Sequence, residues 1–208
     1  MGSAALTHAQ NGEDLVLARL LKDVEQGFYI DVGAGHPETC SVTKLFYDRG
    51  WSGINIEPGP TDFALLVKER PRDINLNFCA GAMDGADYFD VYPQLNDGLN
   101  TPTNHLHEFF GRQGLVPHLR ACRVFTLNSI IENHAPGREI HFLKIDVEGY
   151  EGQVLAGLDL ERHRPRFLCI EATLPHTQIR SDQKWNRLLV DHRYSQILFD
   201  GLNCFYAS

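Results

Sequence analysis

The sequence predicts an α/β protein, three-layered and doubly wound on a mostly parallel sheet, with a C-terminal antiparallel hairpin. Short apolar runs alternate with helix-period segments through most of the 208 residues, the pattern of parallel strands joined by helical crossovers. Four of those runs finish in an acid, Asp31, Glu57, Asp146 and Glu171; in a parallel sheet this sets four carboxylates along one edge, where such folds bind ligands. The last two runs are separated by Asp200-Gly201, a pair suited to a hairpin turn.

Apolar positions at Leu15, Val16, Ala18, Leu20 and Leu21 predict an amphipathic helix within residues 12–24, with Asn11 as its N-cap. Gly27 introduces a first strand over 28–32. A helix over 41–48 ends at Arg49-Gly50, and a second strand over 53–56 is closed by Glu57-Pro58. A helix over 61–69 stops before Pro71, and 74–78 reads as a third strand. The alternation then breaks. Residues 88–92 and 123–126 read as additional strands, with a short helix over 127–133. Between them, 93–119 is rich in Asn, Gly, Pro and His and reads as a loop or lid. Alternation resumes with a strand over 141–145, a helix over 151–156 stopped by Gly157, a strand over 167–170 and a helix over 185–190. Residues 194–199 and 203–206 form the closing hairpin. The organisation expected is a helical segment over 1–26 followed by one domain over 27–208.

This length supports a single domain with its own core. A formal charge of −8 argues against nucleic acid as a partner, since phosphate backbones draw basic patches. No apolar run reaches the roughly 18 residues of a membrane span, and the start of the chain carries no cationic-plus-apolar signal pattern. The five cysteines, Cys40, Cys79, Cys122, Cys169 and Cys204, are scattered, odd in number and without a CxxC pair. They argue against a zinc site or disulfide framework and for a reducing cytoplasm, with Cys79 and Cys169 as small core residues.

The segment from Phe28 to Gly35 is an apolar strand that ends in an acid and a glycine turn. Glycine lets backbone approach a ligand without a Cβ clash, and an acid at a strand tip accepts hydrogen bonds from hydroxyl or ammonium groups. Glu57, at the end of the second strand, stands where nucleotide-binding α/β folds hold ribose hydroxyls; the other reading is a helix cap. For Asp31 the other reading is an acid that organises its loop. His36-Pro37 replaces the rest of a GxGxxG fingerprint, so a pyrophosphate cradle is poorly specified. An NAD-dependent oxidoreductase is therefore the weaker enzyme reading. A non-catalytic binding module on the same fold is a third, disfavoured by acids at all four strand tips.

Tyr29-Ile30-Asp31-Val32-Gly33-Ala34-Gly35, Asn55-Ile56-Glu57-Pro58 and Leu143-Lys144-Ile145-Asp146-Val147-Glu148-Gly149-Tyr150-Glu151 occur in this order, after Gln10-Asn11-Gly12-Glu13-Asp14 near the start. The set resembles the FkbM-type family of S-adenosylmethionine-dependent methyltransferases from about residue 8 to the end. The resemblance implies a class I methyltransferase, Rossmann-like fold and O-methylation of a hydroxyl on a sugar, glycan or related natural product. It implies that Asp31, Gly33 and Gly35 flank the methionine part of S-adenosylmethionine and that Glu57 meets the ribose, with Ala34, Pro58 and Asp146 also binding the cofactor. Cys79 and Ala80 would then lie near the adenine, and Gln10 and Glu13 would close over the cofactor. His36-Pro37 departs from the family's commoner Asn-Ile-Gly continuation.

Methyl transfer from a sulfonium needs an aligned nucleophile and removal of its proton. Asp146, Glu148, Lys144 and His176 are the catalytic candidates, with His36, His105 and His107 as further bases. Asp146 and Glu148 are two residues apart; in extended backbone both face one side. With Glu171 they form a candidate site for a divalent cation such as Mg²⁺. The competing readings are that Glu148 opens the next helix, that Lys144 is a buried structural ion pair, and that the histidines are solvated loop residues. Tyr88, Tyr92, Phe109 and Phe110 are candidate stacking faces for an acceptor or else core residues. The partner expected is a small-molecule or glycan acceptor, and the chain is a candidate domain of a larger polypeptide.

Overall fold

A computed structural model describes residues 6–91, 100–102, 111, 114–116, 118–174 and 177–208. In chain order the elements are α1 (Glu13–Leu20), β1 (Phe28–Val32), α2 (Lys44–Asp48), β2 (Ser52–Ile56), α3 (Pro60–Glu69), β3 (Ile74–Leu76), β4 (Cys79–Ala80), β5 (Gly85–Val91), β6 (Asn100–Pro102), β7 (His118–Phe125), α4 (Leu127–His134), β8 (Phe142–Ile145), α5 (Glu151–Ala156), β9 (Phe167–Glu171), a 3₁₀ turn (Asp182–Lys184), α6 (Asn186–Asp191), β10 (Ser195–Phe199) and β11 (Asn203–Ala207).

The main sheet runs β10-β11-β9-β8-β1-β2-β3. Five of its strands are parallel neighbours, and β11 joins antiparallel to both β9 and β10. This is the mostly parallel α/β sheet with a closing hairpin that the alternation predicts. Every residue of β1 and β8 is buried, as strands covered on both faces require. Side chains alternate between the faces. Ile30, Ile54, Leu143 and Leu168 pack with Ile130 of α4, Val154 of α5 and Leu189 of α6. Tyr29, Phe142, Cys169 and Phe205 pack with Leu17 of α1, Phe46 of α2 and Trp51. At about 25 cal/mol per Å² of apolar surface, these two clusters are the main force holding the strand ends in place.

The N-terminal helix is shorter than its apolar pattern. Its cap is Gly12, at φ 81, and not Asn11. Helix α2 begins three residues later than expected because residues 38–43 are spent in turns, with Cys40 at φ 55.

The larger difference is a second sheet, β4-β7-β5-β6. β5 pairs antiparallel with β7 from Gly85↔Val124 to Val91↔His118, and β6 pairs with β5. Part of the expected loop over 93–119 is therefore strand, at 100–102 and 118–119; most of the rest lies outside the described residues. Strand β7 hides its character because it carries arginines at 120 and 123 and leaves half of its positions exposed, so no apolar alternation marks it. Among the described residues, no helix is long and apolar enough to cross a membrane.

Candidate active site

The C-terminal ends of β1, β2 and β8 are tied together by backbone. Gly33 and Ala34 donate to the Ile56 carbonyl at 3.0 and 3.2 Å, and the Asp146 amide donates to the Val32 carbonyl at 3.0 Å. Gly33 sits at φ 72, and a Cβ there would lie 1.9 Å from the Asp146 carbonyl oxygen. Only glycine fits at this crossing.

Over this junction lies a cleft of about 190 Å³, bordered by Gln10, residues 33–36, Glu57, Pro58, Asp146 and Glu148. Glu57 forms its wall. One carboxylate oxygen accepts from the Gly35 amide at 2.8 Å and the other from Gly59 at 2.6 Å. Burial pushes the Glu57 carboxyl up to about 7, against the pull of those amides. The acid is thus fixed in direction, and each oxygen keeps a further lone pair for a hydroxyl donor. Gly59 is also the N-cap of α3, so Glu57 steadies the turn that opens that helix.

Asp31 does not border the cleft. It is 1% exposed and accepts from Thr43 Oγ1 at 3.0 Å. Lys144 stands above it, with Nζ 3.4 Å from Asp31 Oδ1, 3.4 Å from Asp146 Oδ2 and donating to the Gly33 carbonyl at 2.8 Å. Burial opposes charge on Lys144, but the carboxylates of Asp31 and Asp146 outweigh it and hold the ammonium well above its ordinary value.

Next to the cleft is an apolar slot of about 30 Å³, walled by Ile56, Pro58, Cys79, Ala80, Phe89 and Tyr150. Strand β4 delivers Cys79 and Ala80 to it. Phe89 enters from β5 and meets Tyr150 edge to face at 6.2 Å.

On the other side, Asp146, Glu148 and Glu171 bring oxygens within 4.8 Å of one another. They do not converge through extended backbone. Glu148 is in the left-handed region, φ 55, followed by Gly149 at φ 96, and this reversal returns its side chain toward the sheet edge. Glu151, not Glu148, opens α5: its Oε1 accepts from the Val147 and Gly149 amides at 3.3 and 2.9 Å. Glu171 is 7% exposed, and its Oε2 has no hydrogen-bond partner. Burial, then the charges of Asp146 and Glu148, push the Glu171 carboxyl up to about 11. Burial, then Asp146, likewise raises Glu148 well above the carboxylate range. The three cannot all be ionised unless a cation lies between them; without one they retain a proton. They face a hollow of about 340 Å³ bordered also by Gln10, Thr173, Thr177 and Gln178.

Gln10 reaches both hollows, but Glu13 does not close over either. It is buried, accepting from the Asn11 amide at 2.8 Å and from Asn203 Nδ2 at 2.7 Å, and so pins the Gln10 turn to β11. His36 borders the cleft with Nδ1 facing the amides of Glu38 and Thr39 at 3.2 and 3.1 Å. Tyr88 is exposed on β5 and belongs to no core. His105, His107, His176, Tyr92, Phe109 and Phe110 lie outside the described residues.

Sequence reasoning missed Thr39, Cys40 and Asp62 on the cleft rim and Thr173, Thr177 and Gln178 in the second hollow. Asp62 carried a usable signal, an acid in the first turn of the helix after Glu57-Pro58. The residues past Glu171 carried none, because an irregular turn returns them to the sheet edge.

A mostly parallel α/β sheet with a polar cleft and an apolar slot at one strand edge is consistent with a methyltransferase-like fold. The model of the Methyltransferase FkbM domain matches residues 31–195. The chain belongs to the FkbM methyltransferase family, whose chemistry in general draws its methyl group from S-adenosylmethionine. No curated protein gives a significant match to the chain.

Proposed function

We propose that this protein is a class I, three-layer S-adenosylmethionine-dependent O-methyltransferase acting on a hydroxyl of a sugar, glycan or related natural product. The observation that carries the reading is shared lining: Gln10, Asp146 and Glu148 border both the cleft over Gly33 and the hollow over Glu171. A cofactor in the first and an acceptor in the second meet at those residues. The cofactor supplies a methyl group already activated on a sulfonium.

The residues around it bind and orient. Glu57 directs its free lone pairs at ribose hydroxyls, and the slot at Cys79 and Ala80 takes the adenine. Backbone at Gly33, Ala34 and Gly35 admits the methionine part. Lys144 is a positioning residue, holding the Gly33 carbonyl and balancing Asp31 and Asp146. Asp146 and Glu148 are the groups placed to take the acceptor proton. His176 stays a candidate base on its place in the sequence. Gln10, anchored through Glu13, supports a closing role for residues 1–26.

A divalent cation fits the same acids. Asp146, Glu148 and Glu171 offer hard oxygen ligands, and the unpartnered Glu171 Oε2 lacks the counter-charge that a cation brings. Held there, a cation acidifies an adjacent hydroxyl. The NAD reading has no such support: beyond Gly35 the turn holds His36 and not a glycine-rich cradle.

The test is incubation with methyl-labelled S-adenosylmethionine and a panel of sugars, glycans and sugar nucleotides, with and without chelator. Label in an alkali-stable methyl ether supports the reading. Label only on amines or carboxylates contradicts O-methylation, and turnover unchanged after exhaustive chelation removes the cation from it.

A further inference from the structure

Cys79 on β4 and Cys122 on β7 meet across the second sheet. The two strands run parallel with Cys79 opposite Val124, so Cys122, two residues earlier, presents its side chain on the same face as Val124. The sulfurs are 2.8 Å apart, less than an ångström beyond a disulfide bond of about 2.05 Å. Cys79 is buried, while Cys122 is partly open to solvent. The pair is also electrostatically asymmetric. The hydrogen bond from Cys79, with the Arg120 guanidinium, holds the Cys122 thiol below its ordinary range, whereas that contact and burial hold Cys79 above its own. A partly accessible thiol whose ionisation is favoured, in contact with a buried one whose ionisation is opposed, is the arrangement of a reactive cysteine with a resolving one. Cys40, Cys169 and Cys204 lie elsewhere, on the 38–43 turn and in the main sheet.

We propose that Cys79 and Cys122 are a thiol–disulfide modification site, closed reversibly by a hydroperoxide. The Cys122 thiolate attacks one oxygen of hydrogen peroxide. The O–O bond breaks, Cys122 becomes a sulfenic acid, and the departing hydroxide takes a proton to leave as water. The Cys79 sulfur then attacks the sulfenic sulfur, the S–O bond breaks, and hydroxide leaves with the Cys79 proton as a second water. Two thiols are oxidised and one peroxide is reduced. The bond closes residues 79–122 into a covalent ring and fixes the Cys79 wall of the apolar slot to β7. The site stands on the sulfur geometry and does not depend on the acceptor or on methyl transfer.

The experiment treats reduced protein with stoichiometric hydrogen peroxide, alkylates the remaining thiols and maps peptides without reductant. The expected result is a monomer lighter by two hydrogen atoms before alkylation, with Cys79 and Cys122 in one linked peptide pair that dithiothreitol releases. The oxidised wild type melts at a higher temperature than the reduced form. Cys122→Ser, at a partly exposed position, keeps the reduced protein's melting temperature and shows no peroxide-dependent rise. Sulfinic acid at Cys122 without a link, intermolecular dimers through Cys40 alone, or full alkylation of Cys79 and Cys122 after peroxide each overturn the proposal.

Discussion

Lys144 and Asp31 form a buried ion pair, Nζ to Oδ1 at 3.4 Å, directly beneath the glycine turn of the cleft. The same ammonium reaches Asp146 at 3.4 Å and the Gly33 carbonyl at 2.8 Å. One cation therefore sets the position of the cleft floor and of the first acid in the second hollow. Removing one member of a buried pair strands the other.

Lys144→Met keeps the length of the side chain and deletes its charge. It is expected to destabilise the fold by roughly 3–5 kcal/mol, read by urea unfolding. Restoring part of that loss with Asp31→Asn in the same chain is expected, because the stranded carboxylate is then gone. A Lys144→Met variant as stable as wild type contradicts the ion-pair account.

The acids make stability depend on pH. Glu57 and Glu151 are both pushed up to about 7, chiefly by burial, and Glu171 to about 11. Each stays protonated in the folded chain at pH values where the unfolded chain has released the proton. The native state thus binds more protons, and stability falls as pH rises from about 4.5. Glu57 and Glu151 complete their loss near 7, while Glu171 continues toward 11. The unfolding free energy from urea titration is expected to drop between pH 5 and 8, by at most about 1.4 kcal/mol per pH unit for each group. Glu171→Gln is expected to flatten the slope above pH 7. Added Mg²⁺ is expected to flatten it in wild type and not in that variant. An unfolding free energy that rises over this range contradicts the assignment.

Gly33 and Gly35 lie two residues apart, both in left-handed backbone, at φ 72 and 58. A Cβ on Gly33 meets the Asp146 carbonyl oxygen at 1.9 Å, and one on Gly35 meets nothing within 4 Å. Gly33→Ala is expected to cost at least about 2 kcal/mol from backbone strain and overpacking together. Gly35→Ala is expected to cost only the strain, roughly 1–2 kcal/mol. Equal losses in the two variants sink the claim that the chain past β1 packs against the Asp146 carbonyl at Gly33.

The main sheet was legible because its strands are short apolar runs cut by Gly, Pro and acids, and β1, β2, β8 and β9 fall within a residue or two of their patterns. The convergence of Glu57, Asp146 and Glu171 at one edge followed from that reading, whereas Glu148 joins them through a left-handed reversal that no strand pattern marks. What failed was depth. Asp31 and Glu13 look like site acids in sequence, yet burial and partners on other elements make them supports for Lys144 and for the Gln10 turn. Sequence spacing carries no information on which acid meets solvent. Nor did it show the approach of Cys79 to Cys122, which depends on the register between β4 and β7, set by pairing across 42 intervening residues.

The central claim is that a sulfonium-bearing nucleoside binds between Gly33 and Glu57 with its reacting end toward Asp146. Calorimetric titration of S-adenosylhomocysteine tests it most directly. The account predicts saturable one-site binding to wild type and at least about tenfold weaker binding, some 1.4 kcal/mol, to a folded Glu57→Ala variant. Absence of binding to the wild-type protein, or undiminished affinity in Glu57→Ala, contradicts it.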